Sequence, residues 1–359
     1  MGRRRRNVYI FAPKRKTHPF RNLMLWLLTL MFLACIAVFI LNLASNNQVE
    51  YLTQRVTVEN LPGDLESFSI LHLSDLHAAQ LGPNGSALKK VITQKNVSCI
   101  VLSGDMVGES GDVDPLLQLL DMTPRDVSVY LIAGDSDPPP LNPAAHGSIS
   151  PYADWLQAAV EHGAIYLDEP QSQVRGNSTL WLIPEYLYSL DLDATEAAYA
   201  AQRDALRGEE LILTADQAAQ LRVAEYQLEE IASIREKLTQ ITEDDIQVAI
   251  SHMPLDDEYV STMLQWTTKE DVFSFHRVSL ILAGHYCAGQ WRIPQVGALY
   301  CPAVGWFPED SLIVGLNYLS GIPQYISPGL GASPYYSLQP GRLFNSPAIT
   351  YVQLTNRMV

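Results

Sequence analysis

The sequence predicts an α/β domain built on a largely parallel sheet, preceded by one membrane-spanning helix. Three patterns predict it. Apolar strand-like runs alternate with helical ones, the order expected of βαβ units. Those runs end repeatedly on Asp or His, at the strand edges where such sheets gather ligands. Residues 23–44 carry no charge, enough for a helix across a bilayer.

The chain has 359 residues, 47% hydrophobic and 18% charged, which suits one large domain or two small ones plus an anchor. Its net charge of −15 is unevenly spread. Arg3 to Arg6, Lys14, Arg15, Lys16 and Arg21 lie in the first 49 residues, which hold no acid. The acidic remainder argues against nucleic acid as a partner, because phosphate backbones need a basic face.

These features divide the chain into a basic cytoplasmic tail (1–21), a transmembrane anchor (22–44), a linker (45–54) and a domain (55–359). Basic residues flank only the N-terminal side of the apolar run, so the tail stays cytoplasmic and the body crosses. A cleaved signal peptide is the rival. Its apolar region is shorter, and Asn42-Leu43-Ala44 is a poor cleavage site. The four-Arg cluster lies too far before the apolar run for a twin-arginine signal. Four cysteines are too few for a disulfide framework at this size.

Taken in order, the domain opens with a strand at Arg55–Val58, then an apolar run from Phe68 that ends in Asp75-Leu76-His77. Side chains two apart on an extended segment point to one side, so Asp75 and His77 can grip one ion. Residues 84–96 read as a helix with Leu88, Val91 and Ile92 on one face. A strand over Cys99–Leu102 ends at Ser103-Gly104-Asp105. After a helix around Pro115–Leu120, a strand over Val127–Ile132 ends at Gly134-Asp135.

A proline-rich loop (138–143) then leads into a helix at Ala153–Glu161, and Gly176-Asn177 turns a hairpin. Residues 191–242 read as a helical insertion, with Thr214 and Gln217 forming a capping box. Leu221, Ala224, Leu228, Ile231 and Leu238 form a stripe that packs on the sheet rather than a mobile lid. Strands over Ile246–Ile250 and Val278–Leu282 end at His252 and at His285-Tyr286-Cys287. The Gly- and Pro-rich C-terminal part, with apolar runs near Tyr300, Tyr325 and Ile349, reads as a second, mostly antiparallel sheet.

Each of these Asp and His residues has a plain structural explanation by itself, as a cap, a turn residue or a core imidazole. Five consecutive strand ends carrying ligand-type residues do not. Their order resembles the calcineurin-like metallophosphoesterase superfamily, whose motifs read Asp-x-His, Gly-Asp, Gly-Asn-His, His and Gly-His-x-His. The anchor, Gly289–Pro294, Gly329-Leu330-Gly331 and Arg342–Asn345 make its membrane-anchored bacterial phosphodiesterases the nearest group.

The resemblance implies a four-layer α/β/β/α sandwich and a site for two metal ions (Mn, Zn or Fe). Asp75, His77 and Cys287 would hold the first ion, Asp135, His252 and His285 the second, and Asp105 would bridge them. Asp105, Asp135, His252 and His285 are the expected catalytic set, serving hydrolysis of a phosphodiester or pyrophosphate by metal-bound hydroxide. The substrate would be a phosphorylated small molecule or a lipid, the lipid suggested only by the tether.

The chain departs from the family twice. Gly134-Asp135-Ser136 replaces Gly-Asn-His, and Cys287 replaces the last His. Both new ligands can coordinate, but they raise the anionic charge of the donor set and so weaken its pull on phosphate. Ser136 removes a histidine whose acid–base help is typically worth about 10²–10⁴-fold; His146 in the following loop is a candidate stand-in. Hydrolysis attenuated by Ser136 and Cys287 is one expectation. A non-catalytic ectodomain that binds metal or a partner is the other. A Cys287–Cys301 disulfide would remove one ligand. Arg292 fits a surface or salt-bridged residue better than a phosphate contact, and Tyr286 and Trp291 fit packing roles.

Overall fold

The structure is a computed structural model describing residues 18–46, 48–82, 85–93, 96–141, 150–208, 213–333 and 341–357. The chain divides into two compact units, Met1–Ala44 and Ser45–Val359. Most of helix α1 (Pro19–Asn46) lies in the first unit. It is long and apolar enough to cross a membrane, and none of its apolar window is buried in protein.

The second unit begins with β1 (Glu50–Thr57), β2 (Ser69–Leu73), α2 (Ser86–Ile92), β3 (Cys99–Ser103), α3 (Asp114–Met122) and β4 (Ser128–Ile132). It continues through α4 (Asp154–Glu161), β5 (Ala164–Tyr166), β6 (Gln171–Arg175), β7 (Ser178–Pro184), α5 (Leu192–Gly208) and α6 (Ala215–Leu238). Next come β8 (Ile246–Ile250), α7 (Asp257–Trp266) and β9 (Val278–Ala283). The chain closes with β10 (Trp291–Ile293), β11 (Gly297–Cys301), β12 (Gly305–Trp306), β13 (Gly315–Leu319), β14 (Ile322–Ile326) and β15 (Ala348–Thr355).

Two six-stranded sheets face each other. One has the order β1-β15-β2-β3-β4-β5 and the other β13-β14-β9-β8-β7-β6. The central strands β2, β3 and β8 are buried along their whole length and mostly apolar, and the period-two alternation divides their side chains between two cores. Cys99 and Val101 of β3 face the space between the sheets, where they meet Val248, Ile250, Leu280 and Leu282. Ile100 and Leu102 face outward onto Leu88 of α2, Leu116 of α3 and Leu156 of α4. On the far side, Ile281 packs against Val260 and Met263 of α7, while Trp181 and Ile183 pack against Ile234 of α6. Helices therefore cover both outer faces, the four-layer α/β/β/α sandwich.

Two readings need correction. The two packed sheets are as the resemblance implied, but the parallel strands are shared between them: β2 to β5 run parallel in one, and β7, β8, β9 and β14 in the other. The C-terminal segments do not form a sheet of their own. The strand at Tyr325 adds to β9, and the strand at Ile349 inserts between β1 and β2. Only the segment near Tyr300 forms a separate, three-stranded antiparallel sheet. Strand β1 also starts at Glu50, within the stretch read as linker, because it pairs in parallel with β15 over its full length. Such long-range pairing leaves no local pattern in the sequence.

In the helical insertion the Thr214–Gln217 capping box is present. Helix α6 buries Ala219, Ala224, Ile231 and Ile234, and Leu238 packs partly buried beside Trp181. Leu221 and Leu228 are only half-buried, and α5, which packs on α6, buries nothing.

Candidate metal centre

The C-terminal edges of both sheets meet at one place. Asp75 and His77 follow β2, Asp105 follows β3, Asp135 follows β4, His252 follows β8, and His285 and Cys287 follow β9. All seven residues singled out in the sequence converge there, in two groups. Asp105, Asp135, His252 and His285 present ligand atoms within 4.8 Å of one another, and so do Asp75, His77 and Cys287. The groups adjoin: His77 Nε2 lies 3.6 Å from Asp105 Oδ2, and the His285 amide donates to Asp75 Oδ1 at 2.9 Å.

The strands continue past their ends as a ladder of loop hydrogen bonds. The amides of Asp75, His77 and Ala78 donate to the carbonyls of Gly104, Asp105 and Met106 at 3.0, 2.8 and 3.1 Å. Turning the ligands inward strains the backbone. Asp75, His77, Asp105, His285 and Cys287 all have positive φ, between 46° and 73°. Non-glycine residues seldom adopt this region, and clusters of such residues mark functional sites. Gly134 allows the loops to close: a Cβ there would come within 2.1 Å of Asp105 Oδ1.

Histidine orientation follows from the hydrogen bonds. His252 Nδ1 faces the Ser103 carbonyl at 2.8 Å. A carbonyl only accepts, so Nδ1 carries the proton and Nε2 points into the site. Nε2 lies 2.8 Å from Asp135 Oδ1 and 3.3 Å from Asp105 Oδ2. His285 Nδ1 lies 3.1 Å from the same Asp135 oxygen and 3.3 Å from His252 Nε2. Burial alone would lower the His252 pKa, but hydrogen bonds to Asp105 and Asp135 override it and hold it well above the usual imidazole range. Those contacts in turn keep Asp135 and Asp105 below the usual carboxylate range, although burial opposes them.

The second group is enclosed. Burial raises the Asp75 pKa, with His252 and His77 opposing it. Burial, reinforced by Asp75, holds the Cys287 thiol well above its ordinary pKa. Neither ring nitrogen of His77 has a hydrogen-bond partner, although both are buried. An imidazole deprived of water and partners is costly unless it ligates an ion. The mixture of carboxylate, imidazole and thiol donors fits a divalent transition metal such as zinc, manganese or iron.

The remaining expectations fall as follows. Cys287 and Cys301 are both free, so no disulfide competes for the thiol. Arg292 pairs with Asp310 at 2.5 Å and donates to the Ala288 carbonyl at 2.8 Å, a salt-bridged residue. Ser136 donates its amide to Asp105 Oδ1 at 2.8 Å. His146 lies outside the described residues. Two supporting groups had no site role assigned from the sequence, although the second lies in the Arg342–Asn345 stretch that carried the resemblance. Asp137 accepts from the amides of Met106, Val107, Gly108 and Gly134, at 3.2, 2.9, 2.8 and 3.0 Å, and so ties the Asp105 loop to the Asp135 loop. Its only signal was a second Asp two residues after Asp135. Asn345 donates to the Cys287 carbonyl at 2.8 Å, and buried Arg342 donates to the carbonyls of Asn345 and Gly331 at 2.8 and 2.6 Å.

Residues 68–289 match the calcineurin-like phosphoesterase family, from the strand before Asp75 to just past Cys287. The chain belongs to that family. Members of the family bind divalent metals, so the two groups of donors are a candidate dinuclear centre of a metallophosphoesterase. Among solved structures, a phosphopantetheinyl hydrolase from Mycobacterium tuberculosis is similar at 14% identity. The match covers 73% of this chain and 89% of that one, with a TM-score of 0.35. No curated protein matches significantly in sequence.

Proposed function

We propose that this chain is a membrane-anchored phosphoesterase that uses two metal ions to hydrolyse a phosphodiester or pyrophosphate, with its domain on the extracytoplasmic side. The observation that carries the proposal is His77, a buried imidazole with no hydrogen-bond partner that faces Asp75, Cys287 and Asp105. Asp75, His77 and Cys287 would hold one ion, and Asp135, His252 and His285 the other, with Asp105 between them. When bound, the ions would supply Lewis acidity at the phosphoryl oxygens and an acidified water. The chain's own part is positional. The Ser103 carbonyl keeps the proton on His252 Nδ1, leaving Nε2 to face the second ion. Asp135, exposed at the mouth, adjoins the approaching phosphate. The charge-free run 23–44 and its basic N-terminal flank favour a single span with a cytoplasmic N-terminus.

The test is metal analysis of the full chain loaded with zinc, manganese or iron, paired with hydrolysis of bis(p-nitrophenyl) phosphate. Two ions per chain and turnover are expected; absence of bound metal under every loading would end the proposal. Ser136 favours a second reading, a scaffold that keeps the metal and has lost turnover. If only the Ser136→His, Cys287→His double variant hydrolyses the ester, the natural protein is that scaffold.

A further inference from the structure

Beside the metal centre lies a cavity of about 270 Å³. Asp135 and His285 form one end; Met253, Tyr286, Cys301, Pro302, Ala303 and Ser333 line the rest. No lysine or arginine lines it among the described residues. A larger cleft of about 1030 Å³ contains none of the seven candidate ligands and is walled by charged groups such as Glu243, Lys269 and Arg277. The small cavity, which contains Asp135 and His285, is continuous with the candidate metal centre. Pro302 and Ala303 belong to the turn between β11 and β12, and this turn also carries exposed Val304. Trp306 and Phe307 follow at 67% and 66% exposure, with the Trp306 ring 4.9 Å from that of Tyr300. An exposed apolar run that continues directly from pocket-lining residues is the kind of patch that marks a contact surface.

We infer that this cavity is a subsite for an uncharged, apolar ester group on the substrate phosphate, an alkyl or acyl chain whose far end passes the β11–β12 turn. The inference rests on the phosphoesterase reading and narrows it. A second phosphate would meet no lysine or arginine among the described lining residues and would face the Asp135 carboxylate, whereas a chain laid along Met253, Pro302 and Ala303 loses only its water. Pyrophosphates and polar nucleotides are thus poorer substrates than amphiphilic phosphodiesters. The amphiphile is either a bilayer lipid or a soluble ester, and the chemistry recognised is the same.

The test uses the manganese-loaded full chain in lipid nanodiscs with p-nitrophenyl methyl, butyl and hexyl phosphates. From methyl to butyl, kcat/KM should rise roughly tenfold for three half-buried methylenes. In Ala303→Glu and Met253→Ser that ratio should collapse toward one; reading a ratio cancels any general loss of activity. Calorimetric titration with methyl-, butyl- and hexylphosphonate reads the subsite without turnover. Turnover of all esters at equal kcat/KM would overturn this inference and leave the hydrolase standing. Tighter binding of longer phosphonates with no turnover would support the subsite and overturn the hydrolase. An octadecyl ester held in the nanodisc bilayer separates the sources: its hydrolysis assigns a lipid, and hydrolysis of the free hexyl ester alone assigns a soluble amphiphile.

Discussion

The two halves of the candidate centre reach the same edge by opposite means. Asp135, His252 and His285 satisfy one another: the imidazoles find carboxylates at 2.8 and 3.1 Å, and Asp135 is open to solvent. Asp75 and Cys287 are fully buried, and His77 beside them has no hydrogen-bond partner. The open half can hold protons where a cation would otherwise sit, whereas the closed half has only strained backbone and desolvated donors. Proton competition should therefore govern metal affinity in the open half, and desolvation in the closed half.

Asp105 touches both halves, so its loss gives the largest effect. Asp105→Asn should lower kcat at least about 10³-fold, more than the roughly 10–100-fold typical of outer-shell changes. It should also empty both ion positions in metal analysis. Retention of one tightly held ion would mean the halves work independently. The next effect belongs to Asp137, which ties the Asp135 loop of the open half to the Asp105 loop. Asp137→Ala strands four buried amides and should cost about 3 kcal/mol in denaturant unfolding, with metal lost from the open half before the closed one.

The smallest effect is on pH dependence. His252, its folded pKa raised, contributes stability to the metal-free protein that is fully present below its unfolded pKa and is lost as pH rises through the folded value. Asp135, its folded pKa lowered, contributes stability present above its unfolded pKa and lost as pH falls through the folded value. The melting temperature of the metal-free protein should therefore decline above neutrality, while that of the loaded protein should not, because metal requires His252 Nε2 free of its proton. Identical profiles with and without metal would remove the contrast between the halves.

Much of this was legible in the chain. The central strands of both sheets were visible because burial on both faces makes them nearly continuous apolar runs, and the ligand types stand where those runs stop. The capping box at Thr214 and the hairpin turn at Gly176 were equally local. What stayed hidden depended on partners far away. β15 lies between β1 and β2 by pairing across most of the domain, and β14 joins β9 over the whole β10–β13 segment, so the C-terminal runs read as a sheet of their own. Asp137 looked like any turn acid, because its four amide partners come from two different loops.

By itself, the order of residues determined the central strands, most of the helices, the apolar N-terminal span and the identity of seven candidate donors, since each follows from composition and spacing within a few positions. Only the tertiary structure decided that those donors form an open group and a closed one, that Arg292 is occupied by Asp310, and that a cavity with no lysine or arginine among its described lining residues lies against His285. Those outcomes depend on how two sheets align their edges, and the free energy of that alignment comes from the core between them rather than from any local segment.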